Sequence, residues 1–376
     1  MGNSLDSFIE HVRGLSPCKL YFHNLGFDGS FIFDWLLRNG YEFTKERKHV
    51  QGGQFNALIS DMNAVYSITV WFSRRKYVQI YDSFKMIPLS ISKIAKAYKL
   101  PMLKGEIDYE AHRLVGHEIT EEEREYIEHD VKIAAMALHQ NFSQGLDRMT
   151  AGSNALAYYK SLLGGHKMFR HPYPALTPEQ DEFIRRSYKG GFTYADPRHR
   201  GEIVGEGRVY DVNSLYPSVM ASSDGQLLPY GEPVWYDGEY EHDPAHPLWI
   251  GMVTFAFKLK PDHIPCIQIK GNWLYRATEY LRESEGQVTM ITTCVDWWLI
   301  SDQYDVWGVE FDGGYKFAAS TDQFKEYVEY WGGVKMQASK EGNSGLRQIA
   351  KLMLNSLYGK FATKIHVQGR YPALVD

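Results

Sequence analysis

The stretch DVNSLYPS at residues 211–218 decides how this chain is read. The run Arg208-Val209-Tyr210 before it is strand-like and predicts that Asp211 sits at a strand end. An asparagine, a serine and then Leu-Tyr-Pro follow at once. A surface turn needs only the aspartate and the serine, whereas Leu-Tyr-Pro is unfavourable to expose and stiff to bend. An aspartate at a strand end can hold a divalent metal, and the turn after it offers backbone N–H groups to phosphate oxygens.

A second stretch supplies cations. On a 3.6-residue helix, LRQIAKLMLNSLYGK (346–360) sets Arg347, Lys351, Asn355 and Tyr358 on one face, at i, i+4, i+8 and i+11. Leu346, Ile349, Met353 and Leu357 form the opposing apolar stripe, and Gly359 is predicted to close the helix. Two cations followed by an amide and a phenol suit a triphosphate below a nucleobase. Taken alone, such a face is also that of an amphipathic helix with a solvated basic side.

A third arrangement lies nearer the N-terminus. YFHNLGFDGSFI (21–32) places Asp28 just beyond a strand, and YIEHD sets Tyr126 and Asp130 at i and i+4 on one helix face. A carboxylate near a strand end and another on a helix can meet at a metal, with a tyrosine orienting a water. Taken singly, the aspartate reads first as a turn or cap residue, and the Tyr126–Asp130 pair as a solvated helix face.

Around these motifs the chain alternates strand and helix patterns. KLYFHNL (19–25) and YVQIYDS (77–83) read as strands, FIFDWLLRNGY (31–41) as a helix ended by Gly40, and SISKIAKAY (90–98) as a short amphipathic helix. SLDSFIE reads as a helix start. Thr120 and Glu123 form a capping box that opens a long helix. Residues 145–180 read as less regular, and 224–325 carry strand-like runs such as HIPCIQIK and GVEFDGGYKF.

The 376 residues exceed what one core usually serves, so two or more domains are expected. Hydrophobic residues at 44% and charged residues at 23% are those of a soluble globular chain. The net charge of −5 places any nucleic-acid contact on local basic patches: KERKH (45–49), SRRK (73–76), RRSYK (185–189) and RHR (198–200). Cys18, Cys266 and Cys294 form no CxxC pair and no even disulfide set, which fits a reducing compartment and argues against a zinc site. No signal peptide and no membrane span is expected, and neither GxGxxG nor GxxxxGK[ST] occurs.

DVNSLYPS resembles motif A, and KLMLNSLYG motif B, of the family B DNA polymerases. The phrases GLDRMTAGS, YKGGF, LLPYGEP and IPCIQIK are similar to those of the protein-primed branch found in small tailed bacteriophages. The resemblance spans essentially the whole chain. It implies an α/β and α+β multidomain fold: an RNase H-like 3′–5′ exonuclease domain (1–150), the first part of a palm (151–222), an insertion contacting the primer protein (223–325), fingers (326–362) and the start of a second insertion (363–376).

The same resemblance implies site residues. Asp211 and the Val212 carbonyl would hold metal, Tyr216 would be the steric gate against a ribose 2′-OH, and Ser214 and Leu215 would help hold nucleotide or primer. Arg347 and Lys351 would face the incoming phosphates, and Asn355, Tyr358 and Gly359 would line the pocket of the new base pair. In the exonuclease, Asp28 and Asp130 would be metal ligands, Tyr126 would position the attacking water and Lys104 would stabilise developing charge. His23, Asn24, Phe27, Phe31, Ser83, Phe84 and Tyr109 match positions that hold a single-stranded 3′ end, although leucine is usual at Phe84. Tyr188, Gly190 and Gly191 would meet the template backbone. The implied cofactors are Mg2+ or Mn2+, two ions per site, and the implied partners are primer-template DNA, dNTP and a terminal protein. The implied setting is the cytoplasm of a bacterial host.

Two elements of the family pattern are missing from the 376 residues: the Asp-x-Glu of the exonuclease's first strand and the Tyr-x-Asp-Thr-Asp hairpin of the palm. The expectation is therefore a middle portion of a polymerase, truncated at both ends and impaired in both activities. The competing expectation is a remnant that binds DNA or the primer protein without chemistry. A nuclease alone leaves the Asp211 and Lys351 segments without a role.

Overall fold

The structure is a computed structural model describing residues 2–46, 48–108, 110–114, 116–212, 214–268, 280–363 and 369–374. In chain order its elements begin with α1 (Leu5–Leu15), β1 (Cys18–Phe22), α2 (Leu25–Arg38), β2 (Glu42–Phe43), β3 (Gln54–Ile59), β4 (Val65–Trp71) and β5 (Tyr77–Asp82). There follow α3 (Ile91–Ala97), α4 (Glu121–Ser143), α5 (Ala151–Leu162), α6 (His166–Phe169), α7 (Pro178–Arg186), α8 (Leu215–Met220), β6 (Leu228–Tyr236) and β7 (Leu248–Leu259). The last are β8 (Val288–Thr293), α9 (Cys294–Gln303), β9 (Tyr304–Ser320), α10 (Lys325–Lys340) and α11 (Ser344–Phe361). The chain divides into two compact units, one of residues 1–159 with 327–376 and one of 160–326.

In the first unit, five strands form a mixed sheet in the order β1-β5-β4-β3-β2. β1 and β5 run parallel, with Phe22 opposite Asp82, while β4 is antiparallel to both β5 and β3. The alternation along β5 turns Val78, Ile80 and Asp82 inward. Leu25, Ile32, Phe33 and Leu36 of α2 pack with Phe55, Ile68, Val70, Val78 and Ile80 to form the core. Ser4 caps α1, Ser90 caps α3, and the Thr120–Glu123 capping box opens α4 as the spacing predicts.

α11 belongs to this unit and packs on α3 and α4. The fit is close: a Cβ added at Gly345 would collide with the Gln140 side chain and approach Tyr98. Lys99 Nζ donates to the Gly342 carbonyl at 3.1 Å, and the buried Tyr327 hydroxyl donates to the Met353 carbonyl at 2.7 Å.

In the second unit, four antiparallel strands are ordered β6-β9-β7-β8. Phe255, Phe257 and Tyr304 build its core with Ile300 of α9. Phe183 of α7 lies edge-on to Trp235 and Tyr315 at 5.7 and 5.4 Å.

Several expectations need correction. Residues 145–180 are more regular than expected: they carry α5, α6 and the start of α7, the last opened by the Thr177–Gln180 capping box and Pro178. The expected 31–41 helix begins earlier, at Leu25. HIPCIQIK forms only an isolated bridge at Ile267, and its residues 269 and 270 lie outside the described ones. α11 is not closed by Gly359 but runs on to Phe361, since Gly359 keeps helical backbone and Ala362 caps the end.

Candidate functional site

The carboxyl ends of parallel strands β1 and β5 form one edge of the first unit's sheet, and open α/β sheets bind ligands at such ends. Asn24 leaves β1 in the left-handed region, at φ 74°, where asparagine is among the few tolerated side chains. That turn starts α2 at once. Asp28 therefore lies in the first turn of a helix, not in a loop beyond a strand. There its charge suits the helix dipole. Burial pushes the Asp28 carboxyl above its ordinary value, its own backbone hydrogen bond opposes this, and nearby Asp82 adds to the rise. Asp28 also lines a cavity of about 310 Å³ with Asn3, Ser4, Phe8, Phe22 and Phe31.

Asp130 comes from α4. Lys104 Nζ lies 3.7 Å from Asp130 Oδ2 and over the Tyr126 ring, 5.4 Å from its centre. The sequence-predicted trio of Lys104, Tyr126 and Asp130 is thus together. Asp130 Oδ1 is buried and has no hydrogen-bond partner among the described residues. A buried carboxylate oxygen is costly when unsatisfied, and a hard divalent cation takes such oxygens readily. Asp28 and Asp130 fit Mg2+ or Mn2+ in donor chemistry. Among the described residues no three His, Cys, Asp or Glu side chains form one metal cluster.

His23, Asn24, Ser83 and Phe84 also converge. His23 Nδ1 is 3.1 Å from Ser83 Oγ, and its Nε2 is 2.7 Å from the Leu89 carbonyl, which can only accept. Ser83 Oγ donates to the Phe22 carbonyl at 3.0 Å. Burial holds the His23 imidazole below its ordinary value, opposed by the Leu89 bond and by the charges of Asp82 and Asp130. The His23 and Phe84 rings meet edge to face at 5.5 Å, and the exposed Phe27 and Phe31 rings do so at 5.6 Å. Tyr109 lies outside the described residues.

One residue at this edge was not singled out from sequence. Asp82 is 1% exposed, and its Oδ1 accepts both the Asn24 N–H at 3.0 Å and the Phe84 N–H at 2.9 Å. Lys85 Nζ stands 3.7 Å from Oδ2. The signal was present: in the alternation of YVQIYD, Asp82 takes the inward phase of Val78 and Ile80, and a buried carboxylate needs partners.

In the second unit, no strand among the described residues leads to Asp211. Residues 207–212 are unpaired, and Val209 is 99% exposed. Val-Tyr makes a strand only where a neighbour offers ladder hydrogen bonds, and none lies alongside among the described residues. Asp211 and Val212 are exposed, and Ser214 turns through the left-handed region at φ 55° to begin α8 with Leu215 and Tyr216. YKGGF and DVNSLYPS do meet: a Cβ added at Gly191 would lie 3.2 Å from the Tyr216 hydroxyl oxygen. At Gly190 a Cβ would meet none of the described residues within 4 Å, so their packing does not demand glycine there. Tyr188 is exposed, and Lys189 beside it pairs with Asp296 at 3.2 Å.

α11, in the first unit, presents the expected face. Arg347, Lys351, Asn355, Tyr358 and Gly359 are exposed, while Ile349, Ala350, Met353, Leu354 and Leu357 are buried. Arg347 Nε donates to Ser339 Oγ of α10 at 3.1 Å.

Comparison with known proteins gives this arrangement a family. Residues 10–373 match the profile described as DNA polymerase type B, organellar and viral. The chain belongs to the family B DNA polymerases. Within that family it is similar to the DNA polymerases of the phi29-like Bacillus phages. It is 45% identical to the DNA polymerase of Bacillus phage Nf and 43% identical to that of Bacillus phage phi29, each over 100% of this chain. The solved structure of phi29 DNA polymerase complexed with single-stranded DNA superposes with a TM-score of 0.91 at 42% identity. That of phi29 DNA polymerase complexed with primer-template DNA and incoming nucleotide substrates gives 0.90 at 43%. Both cover 100% of this chain, and 64% and 65% of theirs. The chain spans 64% of the length of the Nf and phi29 polymerases. Among the described residues, no helix is long and apolar enough to cross a membrane.

Proposed function

We propose that this chain belongs to a template-directed DNA polymerase of protein-primed phage replication that also trims primer 3′ ends by 3′–5′ exonuclease action. The observation that carries this reading is the whole-chain likeness to phi29 DNA polymerase bound to primer-template DNA and incoming nucleotide. Its partners on this reading are primer-template DNA, dNTP and a terminal protein, and its setting is the cytoplasm of a bacterial host.

In synthesis, a primer 3′-OH attacks the α-phosphate of a dNTP in line, and pyrophosphate leaves. Lys351 and Arg347, exposed one helical turn apart, neutralise the triphosphate, and Tyr358, Asn355 and Gly359 flank the nascent base pair. Tyr216, whose hydroxyl lies 3.2 Å from where a Cβ at Gly191 would stand, acts as the steric gate against a ribose 2′-OH. Ser214 and Leu215 steady the nucleotide or primer. In trimming, Phe27, Phe31, His23 and Phe84 hold the unstacked 3′ end. Tyr126 orients the attacking water, and Lys104 offsets charge developing on the phosphate. Asp28 and Asp130 at one site, and Asp211 with the Val212 carbonyl at the other, would hold Mg2+ or Mn2+, which when bound activates water and polarises phosphate. Tyr188, Gly190 and Gly191 guide the template.

On the same reading, residues 1–150 are the exonuclease domain, 151–222 the first part of the palm, 223–325 an insertion that grips the primer protein, 326–362 the fingers and 363–376 the start of a second insertion. Primer extension and 3′-end degradation by the purified protein, with Mg2+ and then Mn2+, test the proposal. Asp211→Ala should abolish extension alone, and Asp28→Ala degradation alone. DNA binding with neither reaction would mean that the chain holds DNA without acting on it.

A further inference from the structure

Asp82 closes β5 in the inward phase of the strand, where its carboxylate is 1% exposed. A charge so placed is tolerated only if hydrogen-bonded. Its bonds are local and specific. Oδ1 alone accepts the N–H of Asn24, which starts α2, and the N–H of Phe84, in the single 3-10 turn after β5. One oxygen atom therefore ties together two backbone segments from neighbouring parallel strands. Each carries groups assigned above to the 3′ end: Asn24, Phe27 and Phe31 on one, Ser83 and Phe84 on the other.

The tie acts where the backbone is least able to hold itself. Asn24 sits at φ 74°, a region that side-chain-bearing residues leave readily unless surrounding bonds hold them. Ser83 and Phe84 lie in a turn of three residues. The Ser83 hydroxyl and the His23 ring brace the same two segments, but through side chains that rotate.

We propose that Asp82 is a positioning residue of the single-strand 3′-end site. Through Oδ1 it sets the spacing between the Asn24–Phe31 helix start and the Ser83–Phe84 turn, and so the width of the slot that takes an unpaired DNA end. This rests on the exonuclease reading above. It is the hydrogen-bonding oxygen that matters, since Asp82→Asn would keep Oδ1 in place while losing the charge.

The test is binding of a 5′-labelled oligothymidylate with a free 3′-OH, in EDTA, read by fluorescence anisotropy. It is run on the wild type and on Asp82→Asn, Asp82→Ala and Asp82→Glu, with thermal melts confirming that each is folded. Asp82→Asn should bind within about threefold of wild type. Asp82→Ala, and Asp82→Glu with its carboxylate displaced by one methylene, should bind at least about tenfold more weakly. If Asp82→Ala does not fold, the Asn and Glu variants decide. In the Mg2+-supported reaction the loss should fall on KM for single strands rather than on kcat. Equal binding by wild type and Asp82→Glu overturns the proposal, as does Asp82→Asn binding as weakly as Asp82→Glu. Wild-type protein that does not bind the oligonucleotide overturns both this proposal and the exonuclease reading.

Discussion

Lys104 Nζ stands 3.7 Å from Asp130 Oδ2, while the other oxygen of that carboxylate is buried with no partner among the described residues. The pair is lopsided: one oxygen is neutralised by an ammonium and the other is left for a ligand. Lys104→Ala should lower the exonuclease kcat by about 10²-fold, the scale of losing one preorganised charge-stabilising group. Primer extension by the same variant should be unchanged. Time courses of 3′-end degradation and of extension on one labelled primer check both halves.

Gly191 and Tyr216 carry the second prediction. A methyl at residue 191 would stand 3.2 Å from the Tyr216 hydroxyl, so the ring must yield by a few tenths of an ångström. Tyr216→Val should raise incorporation of ribonucleotides relative to deoxyribonucleotides by roughly tenfold or more, within what pocket shape alone can discriminate. Gly191→Ala should move the ratio the same way by less. Single-nucleotide incorporation with matched dNTP and rNTP measures both, and an unchanged ratio in Tyr216→Val removes the steric-gate assignment.

Lys351→Ala should weaken dNTP use by about 2–3 kcal/mol, the scale of a lost charge-assisted hydrogen bond. Lys351 is exposed on the polar face of α11, so its loss should leave the melting temperature unchanged. Steady-state kinetics at varied dNTP, beside a thermal melt, separate a binding role from a structural one.

The polar and apolar faces of α11 were legible because a 3.6-residue period is local and needs no partner. The Thr120–Glu123 capping box was legible for the same reason. What escaped depends on neighbours distant in sequence. Arg208-Val209-Tyr210 has strand composition but, among the described residues, no strand beside it. Gly359 has a stop residue's freedom, yet the helix continues because Leu357 and Leu354 are held in the core. The inward phase of Asp82 could be read from the alternation of its strand, but its partners, the N–H groups of Asn24 and Phe84, carry no side-chain signature.

Glu123 predicts an acid response. Its carboxyl is held down to about 2, first by the Arg113 guanidinium, then by the Thr120 N–H and His117. The folded value lies below that of the unfolded chain, so the contribution to stability is complete above about pH 4.5 and is lost as pH falls toward 2. Acid unfolding followed by circular dichroism should show wild type more stable than Glu123→Gln at pH 6, with the gap closing across that window.

Tyr327→Phe should cost about 1 kcal/mol by removing the hydroxyl's bond to the Met353 carbonyl inside α11. Denaturant unfolding should show a lower midpoint with an unchanged slope.

The close seat of Gly345 against Gln140 and Tyr98 has a consequence for how the protein is made. The first unit is written in two pieces, with residues 160–326 between them. A ribosome adding about 5–20 residues per second takes on the order of ten seconds or more to pass from one piece to the other. During that interval the nascent chain carries α3 and α4 without the helix that covers them. The second unit is fully synthesised before the first can close, so translation order places a waiting time inside the assembly of this domain.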